Sequence, residues 1–262
     1  MNMTMTAPEV STTALSVRGL VKSYGGRPVL TGVDFDVRYG EIVALLGANG
    51  SGKSTALQCI MGLADPDDGG IRLGGADLGP LRGRELAAAR QQAAMVFQKV
   101  HLVPRLSAVD NVCAGALHRM PGWRSMLPQL YPRQIREEAM ACLDRTGMAG
   151  RALEQVGRLS GGQQQRVAIA RSLCQRATVV LADEPVSALD PHAAEQVMSL
   201  LADLAHTEHL AVATVLHQPD LARRYADRAV GLLEGQVDFD VAPADLTGEH
   251  LEPLYLPDRV AA

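Results

Sequence analysis

One short segment constrains this chain more than any other: the glycine-rich run GANGSGKST, which spans Gly47 to Thr55. It follows the apolar run IVALL and precedes a helical pattern, so it matches G-x-x-x-x-G-K-[ST] in a strand–loop–helix setting. The glycines allow a tight turn whose successive N–H groups point inward, and the start of the following helix adds partial positive charge. The pattern predicts a loop that binds the phosphates of a nucleotide.

Two side chains of this loop have expected roles of their own. Lys53 would place a full positive charge against the β- and γ-phosphates, and the Ser54 hydroxyl is suited to Mg²⁺. A glycine-rich turn with an accidental lysine is the alternative, and the flanking strand and helix argue against it. The candidate nucleotide-binding residues of the loop are Gly47, Ala48, Asn49, Gly50, Ser51, Gly52, Lys53, Ser54 and Thr55.

A second candidate site lies at the end of the apolar run VVLADEP. An aspartate that ends a strand beside a phosphate loop can hold Mg²⁺ through its water shell, which assigns a metal role to Asp183. Glu184 points to the other side of the chain and is placed to polarise a water for attack on the γ-phosphate. Such a strand end alone is most often a solvated turn, but a phosphate loop upstream already requires an acidic metal partner.

The run LSGGQQQR is a third candidate, because a strong helical pattern follows it. Ser160, Gly161 and Gly162 would put a hydroxyl and exposed N–H groups at the start of that helix, which is a second phosphate-binding surface. One subunit rarely needs two such surfaces for one γ-phosphate. Two chains facing head to tail would instead enclose ATP between the loop of one and this helix start of the other.

The order of apolar runs predicts an α/β fold, because short strand patterns alternate with helical ones. Uninterrupted runs such as IVALL indicate a largely parallel central sheet that is buried on both faces. We expect a disordered tail at 1–13 and one domain at 14–262, with a helical subdomain inserted at about 99–175. Predicted strands are 15–17, 33–37, 42–46, 94–97, 179–182, 211–216, 228–233 and 237–239, and predicted helices begin at Lys53 and cover about 133–147, 162–176 and 191–205.

Composition limits the kinds of partner. The 262 residues carry a net charge of -4, which argues against a nucleic-acid binder held by bulk electrostatics. The four cysteines show no C-x-x-C spacing, so we expect neither a disulfide framework nor a zinc site. Their pattern indicates a protein of a reducing compartment. No apolar run approaches the roughly 20 residues that span a bilayer. We expect a soluble protein that reaches a membrane only through a partner.

With these motifs in this order, the chain resembles the ABC ATPase family over essentially its whole length after residue 14. The resemblance implies the P-loop ABC ATPase core, with antiparallel strands near the N-terminus and the inserted helical subdomain. It also implies that Tyr24 stacks on adenine, that Gln98 senses metal and γ-phosphate, and that the loop Ser187–Asp190 communicates across a dimer. The resemblance assigns catalysis to Glu184, His217, Lys53 and Gln98, metal binding to Ser54, Gln98 and Asp183, and further ATP contacts to Tyr24, Ser160, Gly161, Gly162 and Gln163.

The same resemblance implies the activity, the cofactors and the partners of the protein. It implies an ATPase that uses ATP and Mg²⁺, forms a homodimer and sits on transmembrane permease subunits at the cytoplasmic face of the inner membrane. A periplasmic substrate-binding protein would act through the permease, and no nucleic acid is implied. The stretches HLVPRLSAVDNVCAGAL and LHQPDLARRYADRAVGL are similar to those of phosphonate importer ATPases, although His101, Pro104 and Pro219 depart from the commoner residues of that group.

Other functions remain as alternatives. The ATPase of an ABC system for another small solute, or of an exporter, fits the same motifs. A cytosolic ABC protein of ribosomes or DNA repair usually has two cassettes or a long coiled coil. A P-loop GTPase would need Asn-Lys-x-Asp, and no lysine follows Lys99. A small-molecule kinase would not need LSGGQ.

Overall fold

The computed structural model describes residues 12–120 and 127–255. Most of the predicted tail, 1–11, lies outside the described residues, and the first strand begins at Thr13. The strands are β1 Thr13–Tyr24, β2 Arg27–Arg38, β3 Ile42–Leu46, β4 Asp68–Leu73, β5 Ala76–Asp77, β6 Ala93–Phe97, β7 Val179–Asp183, β8 Ala211–Val215, β9 Arg228–Leu233 and β10 Gln236–Val241.

The larger sheet has six strands in the order β10-β9-β3-β8-β7-β6. Its strands are parallel except for β10, which pairs antiparallel with β9. All five residues of β3 and of β8 are buried, because helices cover one face and the second sheet packs over the other. The predicted α/β fold with a largely parallel central sheet is confirmed.

The smaller sheet is antiparallel, with the order β2-β1-β4-β5. Strands β1 and β2 are much longer than predicted, because exposed polar residues interrupt their apolar pattern. Strands β4 and β5 are absent from the predicted set, since DGGIRL contains two glycines and buries only Ile71 and Leu73 fully. The N-terminal antiparallel strands that the resemblance implies are present.

Eight α-helices accompany the sheets in the described ranges, together with short 3₁₀ turns. Within those ranges, no helix has both the length and the apolar content that crossing a bilayer requires. The helices are α1 Lys53–Met61, α2 Gly83–Arg90, α3 Ala108–Cys113, α4 Arg133–Arg145, α5 Gly161–Cys174, α6 Pro191–Glu208, α7 Pro219–Tyr225 and α8 Gly248–Tyr255.

Three of the predicted helices differ from the structure at their ends. Helix α4 stops two residues early, and α5 stops at Cys174 because Arg176 has a left-handed backbone with φ of 63°. Helix α6 runs three residues beyond its predicted end, to Glu208, and the next residue, His209, also has positive φ. A residue with positive φ cannot continue a right-handed helix.

Helices α3, α4 and α5 pack on one another between β6 and β7 of the chain, and all four cysteines of the protein are buried and free. An ion network holds the C-terminal end of α5: Glu138 binds both Arg119 and Arg176, and Arg119 also donates to the carbonyl of Cys174 at 2.6 Å. The subdomain limits near 99 and 175 stay a prediction.

Candidate active site

The phosphate loop follows β3 and leads directly into α1, as predicted. Gly47 has φ of 149°, and a Cβ there would lie 2.4 Å from the carbonyl oxygen of Leu232. Gly52 has φ of 101°, and its Cβ would meet Leu30 at 2.5 Å. Only glycine fits both positions, so these two residues determine how the loop turns between β3 and α1.

Lys53 is buried inside this loop, with 4% of its surface exposed. Its Nζ donates to the carbonyls of Gly47 at 2.9 Å and Ala48 at 2.7 Å, and to Ser51 Oγ at 3.2 Å. Burial lowers the pKa of Lys53, and the carboxylates of Glu184 and Asp183 oppose that shift. The ammonium group therefore lies desolvated at the floor of the loop, where an anion stabilises it strongly.

The parallel sheet brings the acidic site to the same edge as the loop. Ser54 Oγ donates to Asp183 Oδ1 at 2.7 Å, across 129 positions of sequence. Burial raises the pKa of Asp183, and the hydrogen bond from Ser54 partly opposes this. A hydroxyl and a carboxylate at hydrogen-bond distance are hard oxygen ligands, so this pair fits Mg²⁺.

Glu184 has an unusual backbone, with φ of 49° directly after β7. His217, two residues beyond the end of β8, places its Nε2 at 2.6 Å from Glu184 Oε1. Both side chains are partly exposed, at 23% for Glu184 and 30% for His217. A carboxylate that an imidazole orients at the mouth of a phosphate site has the geometry of a general base.

We call Lys53, Ser54, Asp183, Glu184 and His217 together the catalytic edge. Lys53 and Ser54 begin the helix after β3, and the other three lie at or just beyond the ends of β7 and β8. The carboxyl ends of these neighbouring parallel strands meet where such sheets bind ligands.

Gln98 follows β6, whose last residue, Phe97, pairs in register with Asp183. Its side chain is exposed. Gln98 and Glu184 line the same cavity, of about 360 Å³. Gln98 therefore lies beside the catalytic edge.

Tyr24 ends β1 at a tight turn, and 48% of its surface is exposed. Lys22 Nζ lies 5.3 Å from the centre of its ring and also bonds Asp67 at 2.9 Å. The ring is therefore a free aromatic face with a cation near one side, which suits the stacking of a base.

The residues Ser160–Gln163, which we call the signature tip, begin helix α5 as predicted. Ser160 and Gln163 form a reciprocal capping box, with Ser160 N donating to Gln163 Oε1 at 3.0 Å. Ser160 and Gly161 are exposed. Across the described residues, no hydrogen bond joins the signature tip to the phosphate loop of the same chain.

The loop Ser187–Asp190 lies between these regions. Ser187 Oγ donates to the carbonyl of Glu184 at 3.1 Å, and Asp190 caps α6 by accepting from Ala193 N at 3.0 Å. A Cβ at Gly161 would lie 3.0 Å from Leu189, so the signature tip packs against this loop.

Sequence reasoning missed two residues of α5 that hold the segment around Gln98. Gln165 and Arg171 donate to backbone carbonyls between Phe97 and His101. The triple glutamine was visible in the sequence, but nothing in its spacing indicated which glutamine faces the sheet.

Known proteins resemble this chain in sequence and in fold. A family model described as ABC transporter matches residues 30–187. The hypophosphite import ATP-binding protein HtxD of Stutzerimonas stutzeri is 46% identical over 242 residues, covering 92% of this chain and 71% of that protein. The phosphonates import ATP-binding protein PhnC of Frankia casuarinae is 47% identical over 233 residues, covering 89% of this chain and 92% of that protein.

Two solved structures are similar over most of the chain. The dimeric post-hydrolysis state of the ATP-binding cassette MJ0796, bound to ADP and Pi, has a TM-score of 0.74 at 32% identity and covers 87% of this chain and 98% of that one. The structure of cbiO1 from Clostridium perfringens, part of the ABC transporter complex cbiONQ, has a TM-score of 0.78 at 28% identity and covers 89% and 90%.

Proposed function

Because this chain belongs to the ABC transporter family, as an ATP-binding and ATP-hydrolysing subunit, we propose that it powers the import of a small phosphorus oxyanion through a separate membrane permease. The observation that carries the proposal is the catalytic edge. A buried lysine in a phosphate loop, a serine–aspartate pair and a glutamate–histidine pair meet at one end of the sheet. These are the parts that phosphoryl transfer to water needs.

The roles proposed within one subunit follow from these contacts. Tyr24 stacks on adenine, the backbone of residues 47–55 surrounds the phosphates, and Lys53 gives up its bonds to loop carbonyls for the β- and γ-phosphates. Glu184 accepts a proton from the attacking water, and His217 orients that carboxylate and supports the developing charge. The 2.6 Å contact of His217 with Glu184 supports this division of labour.

Ser54 and Gln98, with waters on Asp183, are the residues that would hold Mg²⁺. The ion would neutralise charge on the β- and γ-phosphates. Ser54 Oγ and Asp183 Oδ1 lie 2.7 Å apart, so the hydroxyl and the carboxylate are close enough to serve one ion.

The site is proposed to be complete only in a homodimer. Ser160 and Gly161 are exposed while Gly162 is buried, and no hydrogen bond joins the signature tip to the phosphate loop of its own chain among the described residues. Ser160, Gly161 and Gly162 would supply a hydroxyl and helix-start N–H groups to the γ-phosphate in the partner subunit. The MJ0796 cassette is known as a dimer, which supports the arrangement.

The cargo class rests on the relatives. Two curated relatives at 46% and 47% identity have names that refer to import of hypophosphite and of phosphonates. Pro219 opens helix α7 at a position where proline is favoured, so its departure from the commoner residue leaves the fold intact. We propose phosphonate, phosphite or hypophosphite as cargo, delivered to the permease by a periplasmic binding protein, with this subunit on the cytoplasmic face of the inner membrane.

The experiment is growth of the source cell on single phosphorus sources. Deletion of this gene is expected to abolish growth on methylphosphonate, phosphite or hypophosphite while growth on phosphate persists. Wild-type chain should restore growth and Glu184→Gln should not. Unchanged growth on all three sources would refute the cargo class. The chain should also co-sediment with membranes only when its permease is co-expressed, and membrane-independent behaviour would favour a non-transport ABC ATPase.

A further inference from the structure

Helix α5 is tied by side chains to the segment that carries Gln98. Gln165 is 3% exposed, and its Nε2 donates to the carbonyls of Phe97 at 3.2 Å and Gln98 at 3.4 Å. Its Oε1 is buried and has no hydrogen-bond partner among the described residues. A buried amide oxygen without a partner is unfavourable, so the carboxamide is held in this orientation by the two carbonyls and the packing around it.

A second tie lies two turns further along the helix. Arg171 Nη1 donates to the carbonyl of His101 at 3.0 Å, and its Nη2 donates to that of Val100 at 3.3 Å. His101 has a φ of 43°, and its ring meets the edge of Phe97 with centroids 4.7 Å apart. The segment after β6 thus turns sharply, and α5 holds it on both sides of Gln98.

The same helix begins with the signature tip. Gln165 lies five residues beyond Ser160, which is roughly 7–8 Å along a helix axis. The capping box at Ser160 closes the first turn of the helix that carries Gln165, so the tip and Gln165 belong to one continuous helix. One cavity is lined by Gln98, Gln165, Gly161 and Glu184. The signature tip and the segment around Gln98 therefore both lie beside the catalytic edge.

We propose that Gln165 is a positioning residue: it sets Gln98 of its own subunit from the helix whose tip engages the partner subunit's nucleotide. The inference rests on the proposed function. The same helix therefore contacts the nucleotide of one site through its tip and positions Gln98 in the other site of the dimer. The connection gives the two ATP sites a direct route of communication within a single chain.

The first test compares Gln165→Met with Gln164→Met. Gln164 is a matched control because it is the preceding residue of the same helix, and its Nε2 also donates to two carbonyls, those of Val156 and Leu159, but to neither of the carbonyls that Gln165 binds. Gln165→Met is expected to lower the ATP turnover number at least about tenfold, equivalent to about 1.4 kcal/mol. It should raise the Mg²⁺ concentration for half-maximal rate and leave the KM for ATP within about twofold.

Melting temperature separates positioning from mere packing. Gln165→Met removes the unpaired oxygen but also the two hydrogen bonds to the carbonyls of Phe97 and Gln98, and because these effects oppose each other the melting temperature should change by no more than about 2–4 °C. Equal turnover losses in both variants, or a Gln165→Met loss that only follows a lower melting temperature, would overturn the proposal. If Gln165→Met does not fold, Gln165→Asn keeps the amide but shortens its reach, and it too must lower turnover.

The second test asks in which site Gln165 acts. In a covalently linked dimer, Glu184→Gln in one subunit leaves hydrolysis to the site built on the other subunit's catalytic edge. Gln165→Met in the subunit with the active edge should cause most of the loss. The same change in the Glu184→Gln subunit, which contributes the tip, should have a much smaller effect. The reverse pattern, or equal effects, would overturn the proposal.

These outcomes are distinct from failure of the proposed function. If the wild-type chain did not hydrolyse ATP or did not pair, the function itself would be wrong and Gln165 would have no rate to change. If the wild type hydrolyses ATP and Gln165→Met matches it in rate and Mg²⁺ dependence, only the positioning role falls.

Discussion

The catalytic edge and the signature tip differ in where their polar groups find partners. At the catalytic edge, Lys53, Ser54 and Glu184 each bond a group from the loop or from a distant strand of the same chain. At the signature tip, Ser160 and Gln163 bond each other through the capping box, and Ser160 and Gly161 are exposed. One region is organised by contacts between distant parts of the fold, and the other presents the start of a helix at the surface, where a second molecule can reach it.

The largest expected effect comes from removing the proposed base of the catalytic edge while the signature tip is left unchanged. Glu184→Gln keeps the size of the side chain but removes the base, so turnover should fall at least about 100-fold. ATP binding should persist, and the closed dimer should accumulate because hydrolysis no longer opens it. Phosphate release and size-exclusion chromatography with ATP measure both; near-normal phosphate release would remove Glu184 from this role.

A mixture of variants tests whether the two regions act across subunits. Lys53→Ala damages the loop and leaves the tip, while Ser160→Arg damages the tip and leaves the loop. Each alone should be inactive, because both sites of its dimer are incomplete. Mixed dimers regain one intact site, so the mixture should recover at most half of the wild-type rate per dimer. No recovery in mixtures that demonstrably form mixed dimers would contradict action in trans.

Tyr24 offers a milder change, since it is exposed like the tip but acts within its own subunit. Loss of aromatic stacking is worth about 1–3 kcal/mol per base, so Tyr24→Ala should raise the KM for ATP about tenfold with little change in turnover number. Tyr24→Phe keeps the ring and serves as control. Equal KM values for the alanine and phenylalanine variants would exclude stacking as its role.

The smallest expected effect concerns the far end of α5. Burial alone would raise the pKa of Glu138, but Arg119 and Arg176 lower it to about 2. The depressed pKa means that this stabilisation is present above the ordinary value of 4.5 and is lost as the pH falls from there towards 2.

Glu138→Gln should therefore lower the free energy of unfolding at pH 7 by about 1 kcal/mol, or about 2–4 °C in melting temperature. The difference from wild type should shrink as the pH falls through that range. Glu137→Gln is the control, because Glu137 and its partner Arg133 are 61% and 92% exposed. A Glu138→Gln penalty that stays constant down to pH 2 would contradict the assigned ion network.

Elements that depend on residues close together in the sequence were predicted most reliably. Strand β3 matches its predicted limits to the residue, because five consecutive buried residues leave no other interpretation. Strand β4 escaped prediction because only tertiary pairing with β1 makes DGGIRL a strand. The phosphate loop was visible because its glycines have no substitutes at those φ values.

Contacts between distant segments could not be read in the same way. The resemblance indicated His217 and Glu184, but their 2.6 Å contact and the positive φ of Glu184 depend on how β7 and β8 pair. The role of Gln165 depends on which side of α5 faces β6, which is set by packing rather than by spacing. The side-chain roles at the site stay predictions until the variants above are measured.

The concealment of every native thiol has a practical consequence. Because Cys59, Cys113, Cys142 and Cys174 are all buried, the folded wild-type chain should react only slowly with maleimide labels. A single cysteine introduced at Leu153, which is 85% exposed and lies outside the catalytic edge and the signature tip, would be the sole readily reactive thiol on the folded surface. A fluorophore or spin label there could be followed during nucleotide binding without blocking the signature tip, and without a cysteine-free parent having to be engineered first.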